Sequence, residues 1–190
     1  MTARAEGAAS TRDHIARAAL ELMMADDYDD VTLARIAGTA GVSRQTVLNH
    51  FGSKEQVAAA AIEMISAETK GLRARAAPGD LRGAVRILME QYEHSGDSNV
   101  RWAMASERLG SLAPRVSEAR AYHQQWLDWV FAGDLPRSKP ARRRAINALH
   151  AATDVYTWKL LRRDQRLSTT TTTDIMRRLV DGVLSGKERP

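Results

Sequence analysis

Apolar positions recur with a helical period along nearly the whole chain. Ile15, Ala18, Ala19, Leu22 and Met23 fall at i, i+3, i+4, i+7 and i+8, the stripe of an amphipathic helix. Ser10 with Asp13 three residues on can open that helix, and Asp26-Asp27-Tyr28-Asp29-Asp30 closes it. Thr32 is placed to cap a short helix carrying Leu33, Ile36, Ala37 and Ala40. Gly41 breaks the pattern, and Ser43 can cap a third helix to about Phe51. Ser53-Lys54-Glu55-Gln56 reads as a capping box that opens a fourth helix, through Ile62, Met64 and Ile65 to about Arg75. Pro78-Gly79 is the clearest boundary.

Beyond it the spacing predicts a fifth helix near residues 80–94, with Leu81, Val85, Leu88, Met89 and Tyr92 inward. Ser95-Gly96-Asp97-Ser98 reads as a loop, followed by a sixth helix over about 99–109. A seventh starts near Pro114 and runs to Phe131, a long eighth covers about 141–163, and a ninth spans about 172–184. The threonine run 169–173 reads as linker and first turn. Nothing alternates over strand length. The expected fold class is therefore all-α, a nine-helix architecture. A three-helix helix-turn-helix domain over 1–54 precedes a helical domain over 55–190.

Composition narrows the class. The chain has 190 residues, 44% of them hydrophobic and 27% charged, enough apolar material for a core. Cysteine is absent, which excludes disulfides, thiolate nucleophiles and Cys-ligated zinc or iron–sulfur centres. The strongly apolar stretch 57–62 is far shorter than the about 20 residues of a membrane span. Asp13, His14 and Arg17 interrupt any signal-peptide core, so the expectation is a soluble, cytoplasmic protein with no membrane partner. Net charge is +5, but residues 1–54 carry six Lys/Arg against seven Asp/Glu, so the positive excess lies further along. Net charge alone therefore says little about nucleic acid.

The chemistry-bearing segment is 37–51. Ala37 is small enough for two helices to approach, and Gly41 can take the positive φ of a tight turn. Val42 and Val47 can pin the second helix on the first, and Phe51 continues the buried face. This is helix-turn-helix spacing, which leaves the second helix's outer face free for a major groove; an αα-corner in any helical protein is the plainer reading. On that outer face stand Arg44, Gln45, Leu48 and Asn49. Arg44 can grip guanine O6/N7, and Gln45 or Asn49 can pair with adenine N6/N7. Thr32 and Ser43 cap helices whose first amides can also approach phosphates. They either cap alone or do both.

Together with the preceding amphipathic helix, the residues Thr32, Ile36-Ala37, Gly41-Val42-Ser43, Thr46-Val47, His50-Phe51 and Ser53-Lys54-Glu55 resemble the tetracycline-repressor (TetR) family of bacterial transcriptional regulators. The close match covers about 11–60; the remainder is similar in architecture. The resemblance implies base readers at Arg44, Gln45 and Leu48, and phosphate contacts at Thr46, Asn49, His50 and Lys54. His50 can equally pack on Phe51. Leu48 stands where the family usually has Tyr, so a thymine methyl replaces that ring's contact. Asp27 stands where Gly is frequent, and Asp tolerates a left-handed backbone. The acidic cluster 26–30 must face away from DNA phosphates. Arg4, Arg12 and Arg17 can supply further phosphate or minor-groove contacts.

The resemblance further implies a homodimer on double-stranded operator DNA, with the last two long helices forming the interface. Those helices offer Ile146, Leu149, Tyr156 and Leu160, then Ile175, Leu179, Val180, Val183 and Leu184. It also implies an inducer pocket in the second domain, with the fourth helix transmitting the signal. Met89, Tyr92, Trp102, Met104, Tyr122, Trp126, Trp129, Tyr156 and Trp158, together with Phe131, can wall that pocket or simply form core. An apolar or aromatic effector fits such walls, with Arg101, Arg108, His123 or His150 available to an acid group. The basic runs 142–144 and 162–163 read as solvated faces.

No cofactor or metal is expected. His150 and Asp154 lie one turn apart, but two ligands are too few. No nucleophile elbow, H-E-x-x-H or phosphate loop occurs, so an enzyme is not expected. The sequence thus points to a DNA-binding repressor released by a small effector. The alternatives are a regulator without an effector, controlled by a protein partner, and a helical adaptor.

Overall fold

The computed structural model describes residues 3–186, with side chains from residue 7 onward. Among these, every regular element is helical. Eight helices exceed one turn and a half, where nine were expected: α1 Ala3–Ala25, α2 Leu33–Thr39, α3 Arg44–Phe51, α4 Lys54–Arg73, α5 Leu81–Arg108, α6 Ala113–Val130, α7 Lys139–Thr153 and α8 Thr169–Ser185. No helix is long and apolar enough to cross a membrane among the described residues.

The chain divides into two compact units. One comprises the chain to Glu68 with Arg101–Val116; the other is Thr69–Val100 with Ser117 onward. The first unit therefore extends past residue 54, and α5 contributes to both.

In the first unit the stripe of α1 is buried as its period requires: Ile15, Ala18, Ala19 and Met23 meet Ile36, Val47, Phe51 and Val57. α1 starts well before Ser10, which lies exposed inside the helix rather than at its start. The alanines preceding Ser10 are strong helix formers, so no cap is needed there. Trp102 and Leu112 complete this core.

The second unit buries Val85, Leu88, Met89, Tyr92, Trp126, Phe131, Leu149, Trp158, Met176 and Val180. The expected loop at 95–98 is instead mid-helix, which fuses the fifth and sixth predicted helices into α5. Ser95 donates to the Gln91 carbonyl at 3.1 Å and Ser98 to the Ser95 carbonyl at 2.9 Å, so both hydroxyls are satisfied within the helix. Gly96 is needed for packing rather than turning: a Cβ there would lie 2.4 Å from the Trp158 ring.

The predicted eighth helix is interrupted at Asp154, whose backbone is extended and whose carboxylate accepts from the Tyr156 amide at 2.8 Å. A short segment, Val155–Lys159, and a π turn, Leu160–Asp164, follow. Arg162 and Arg163 fork onto Glu93 and Asp97 of α5, and Arg142 pairs with Asp128 at 2.7 Å. The threonine run belongs to α8 itself, which Ser168 caps by accepting from the Thr171 amide at 3.1 Å.

Candidate nucleic-acid interface

The turn-linked pair is built by local chemistry. Thr32 Oγ1 accepts from the Arg35 amide at 3.2 Å and starts α2. Gly41 has φ +63°, and the Val42 amide reaches back to the Ala37 carbonyl at 3.0 Å, closing the helix end. Ser43 Oγ then accepts from the Thr46 amide at 3.0 Å and starts α3. Val47 and Phe51 are buried, Val42 partly so. Gly52, φ +76°, ends α3 with its amide on the Leu48 carbonyl at 2.7 Å.

That packing leaves Arg44, Gln45 and Asn49 exposed on α3. Gln45 Nε2 donates to Asn49 Oδ1 at 2.9 Å, so the two amides act as a pair one turn apart. Among the described residues Arg44 makes no ion pair or side-chain hydrogen bond. Leu48, Thr46 and His50 are half-buried. Thr46 and Ser43 hydroxyls lie 2.8 Å apart, so the cap occupies both.

Lys54 is drawn inward: its amine donates to the Tyr28 carbonyl and lies 4.0 Å from the centroid of that ring. Desolvation holds its pKa below the usual lysine value, while burial, with Glu55 and Asp29 adding, pushes the Tyr28 phenol up to about 12. An ammonium carries three donors, so two remain.

Arg12, a candidate DNA contact, serves α3 from below. Its guanidinium lies 4.0 Å from the Phe51 ring centroid and donates to the His50 carbonyl, where the helix dipole favours a cation. Arg17 is exposed, and the Arg4 side chain lies outside the described residues.

Three of the four aspartates of the acidic cluster are paired within their own unit. Asp26 pairs with Arg35 at 2.6 Å, Asp27 with Arg101 at 3.5 Å and Asp29 with Arg108 at 2.8 Å. The Arg108 hydrogen bond and charge hold the Asp29 carboxyl below its usual value. Arg101 and Arg108 thus have partners other than an effector's acid group. Nothing near residues 26–30 could have signalled the pairs to Arg101 and Arg108, because both arginines sit on α5. Asp27 itself is extended, φ −69°, so no left-handed turn replaces the family's glycine.

The nine aromatic and methionine side chains expected around a pocket are dispersed. Trp102 and Met104 belong to the first unit, where Trp102 Nε1 donates to the Met23 carbonyl at 3.2 Å. Met104, Trp129 and Tyr156 are exposed. Met89, Tyr92, Trp126 and Trp158 are buried in the second unit, and Tyr122 is half-buried there. Spacing had shown only that each lies on a helix, not which core it joins.

A buried helix pair locked by a left-handed glycine, presenting a polar second helix to solvent, is the geometry of a helix-turn-helix. Residues 15–61 match the family of bacterial regulatory proteins known as tetR. Residues 15–61 are thus a domain of the tetR family, and beyond them the chain is similar to regulators of that family. It is 27% identical over 131 residues to the HTH-type transcriptional repressor AcnR of Corynebacterium jeikeium, an alignment covering 68% of this chain and 64% of that repressor. In fold it is similar to a transcriptional regulator from Rhodococcus sp., with TM-score 0.76, 17% identity and 94% and 98% of the two chains covered. It is also similar to the multidrug binding protein EbrR, solved with imidazole, with TM-score 0.66, 19% identity and 88% of each chain covered.

Proposed function

We propose that the protein is a homodimeric repressor that binds a palindromic operator through α3 and is released by a small effector. The observation carrying this reading is Arg44, without an ion pair or side-chain hydrogen bond among the described residues, beside the Gln45–Asn49 pair on the exposed face of α3. Such a guanidinium suits guanine O6/N7, and paired amides suit adenine. Leu48 adds an apolar edge for a thymine methyl. Thr32, Ser43, Thr46, His50 and the two free donors of Lys54 hold the phosphates on either side, while Asn49 stands ready for either a base or a phosphate.

One such module makes too few contacts for specific affinity; a twofold pair places two recognition helices about 34–36 Å apart. Tyr156, Leu160 and Leu179 remain exposed in the second unit, apolar side chains that a homodimer interface would cover. The likeness to AcnR favours repression. The likeness in fold to the multidrug binding protein EbrR, solved with imidazole, favours release by a small molecule.

Selection from random duplex DNA tests the reading. It should return an inverted repeat with half-sites one helical turn, or a multiple, apart. Recovery of no motif, or of unpaired half-sites alone, would refute it.

A further inference from the structure

The second unit buries a positive charge that no carboxylate among the described residues neutralises. Arg73, the last residue of α4, is only 4% exposed. Its Nε donates to Gln91 Oε1 at 2.9 Å, and one terminal nitrogen lies 2.9 Å from His123 Nδ1. Its guanidinium carbon lies 5.6 Å from the Tyr122 ring centroid and 5.2 Å from that of Trp126. Every one of these partners is neutral. Thr153 donates its hydroxyl proton to the Leu149 carbonyl at 2.7 Å and so accepts from His123 Nε2 at 2.9 Å. His123 Nδ1 is therefore the lone-pair nitrogen, an acceptor for Arg73. The nearby Tyr92 hydroxyl, donating to the Thr153 carbonyl at 2.8 Å, supplies no anion either, since burial pushes that phenol up to about 12. No carboxylate pairs with Arg73 among the described residues, whereas the more accessible arginines Arg75, Arg142, Arg162 and Arg163 each have one.

An arginine stays protonated at neutral pH, and buried charges in proteins are ordinarily paired. The geometry points to Arg73 as the recognition residue of an anionic ligand: a small organic carboxylate with a flat apolar body. The forked guanidinium matches a carboxylate, and the Tyr122 and Trp126 rings supply the apolar walls. Half-buried Tyr122 also carries the exposed Lys70 amine 5.7 Å from its ring centroid. The Tyr122 ring thus lies between an exposed cation, Lys70, and the buried one, Arg73. This inference rests on the effector reading above and narrows the ligand class from apolar to anionic.

The test is thermal unfolding and calorimetric titration of the full chain with benzoate, phenylacetate and hexanoate, each beside its neutral primary amide, at millimolar concentration. The expected result is stabilisation by at least one carboxylate and by none of the amides. Affinity should fall about tenfold or more in Arg73→Gln and partly return in Arg73→Lys, with circular dichroism verifying that both variants fold. Equal shifts from acids and amides, no shift from any acid, or a binding loss identical in Arg73→Lys and Arg73→Gln would overturn the assignment. Operator affinity, measured separately, tells whether the DNA-binding reading stands independently of this one.

Discussion

Arg12 lies over Phe51, its guanidinium 4.0 Å from the ring centroid, so α1 holds the C-terminal end of α3. The same side chain donates to the His50 carbonyl. Arg12→Ala should cost about 0.5–1 kcal/mol of stability by denaturant titration. It should weaken binding to all duplexes, because it loosens the reading helix without changing its face. A change of sequence preference would assign Arg12 to the bases instead.

Gly41, at φ +63°, has open space around its Cα, so only backbone strain opposes a side chain there. Gly41→Ala should destabilise by about 1–2 kcal/mol, measured by chemical denaturation. Gly96 is the converse case, with ordinary backbone but no room. Gly96→Ala should cost about 1–3 kcal/mol through displacement of the buried Trp158, visible as a change in tryptophan fluorescence.

The turn-linked pair was legible because its determinants lie within a few residues of each other: Thr32 and Ser43 as caps, Gly41 as the left-handed joint, Val47 and Phe51 one turn apart. The helical class was legible from period alone. What escaped the sequence depends on distant partners. Ser95-Gly96-Asp97-Ser98 looks like a loop until Trp158 and Arg163 are packed against it. The break at Asp154 is a competition between a carboxylate cap and helix continuation, which periodicity does not register. The cost of the acidic cluster was visible, but the pairing of Asp27 with Arg101 and of Asp29 with Arg108 was not. For Trp102 the sequence left pocket and core both open, because its helical spacing does not say that it joins Met23.

His123 is buried between Arg73 and His150, and desolvation, then those two neighbours, holds its pKa well below 6.5. The unfolded chain therefore takes up a proton near pH 6.5 that the folded chain refuses. Its contribution to stability is complete above that value and is lost as pH falls toward the depressed native pKa. The slope should be at most about 1.4 kcal/mol per pH unit for this one site. Denaturation midpoints of wild type and His123→Gln across mildly acidic pH should diverge, the variant showing the shallower dependence. Parallel curves would mean that His123 is protonated in the folded state.

The central claim is that the exposed face of α3 reads bases. Its most direct test is a fluorescence-anisotropy titration of wild type and Arg44→Ala on the selected operator and on a duplex with the contacted guanine replaced. The account predicts that Arg44→Ala loses about 1–3 kcal/mol per half-site on the operator and almost nothing on the substituted duplex, so that the two proteins converge there. Equal affinity of wild type and Arg44→Ala for the operator, or an equal loss on both duplexes, would contradict it.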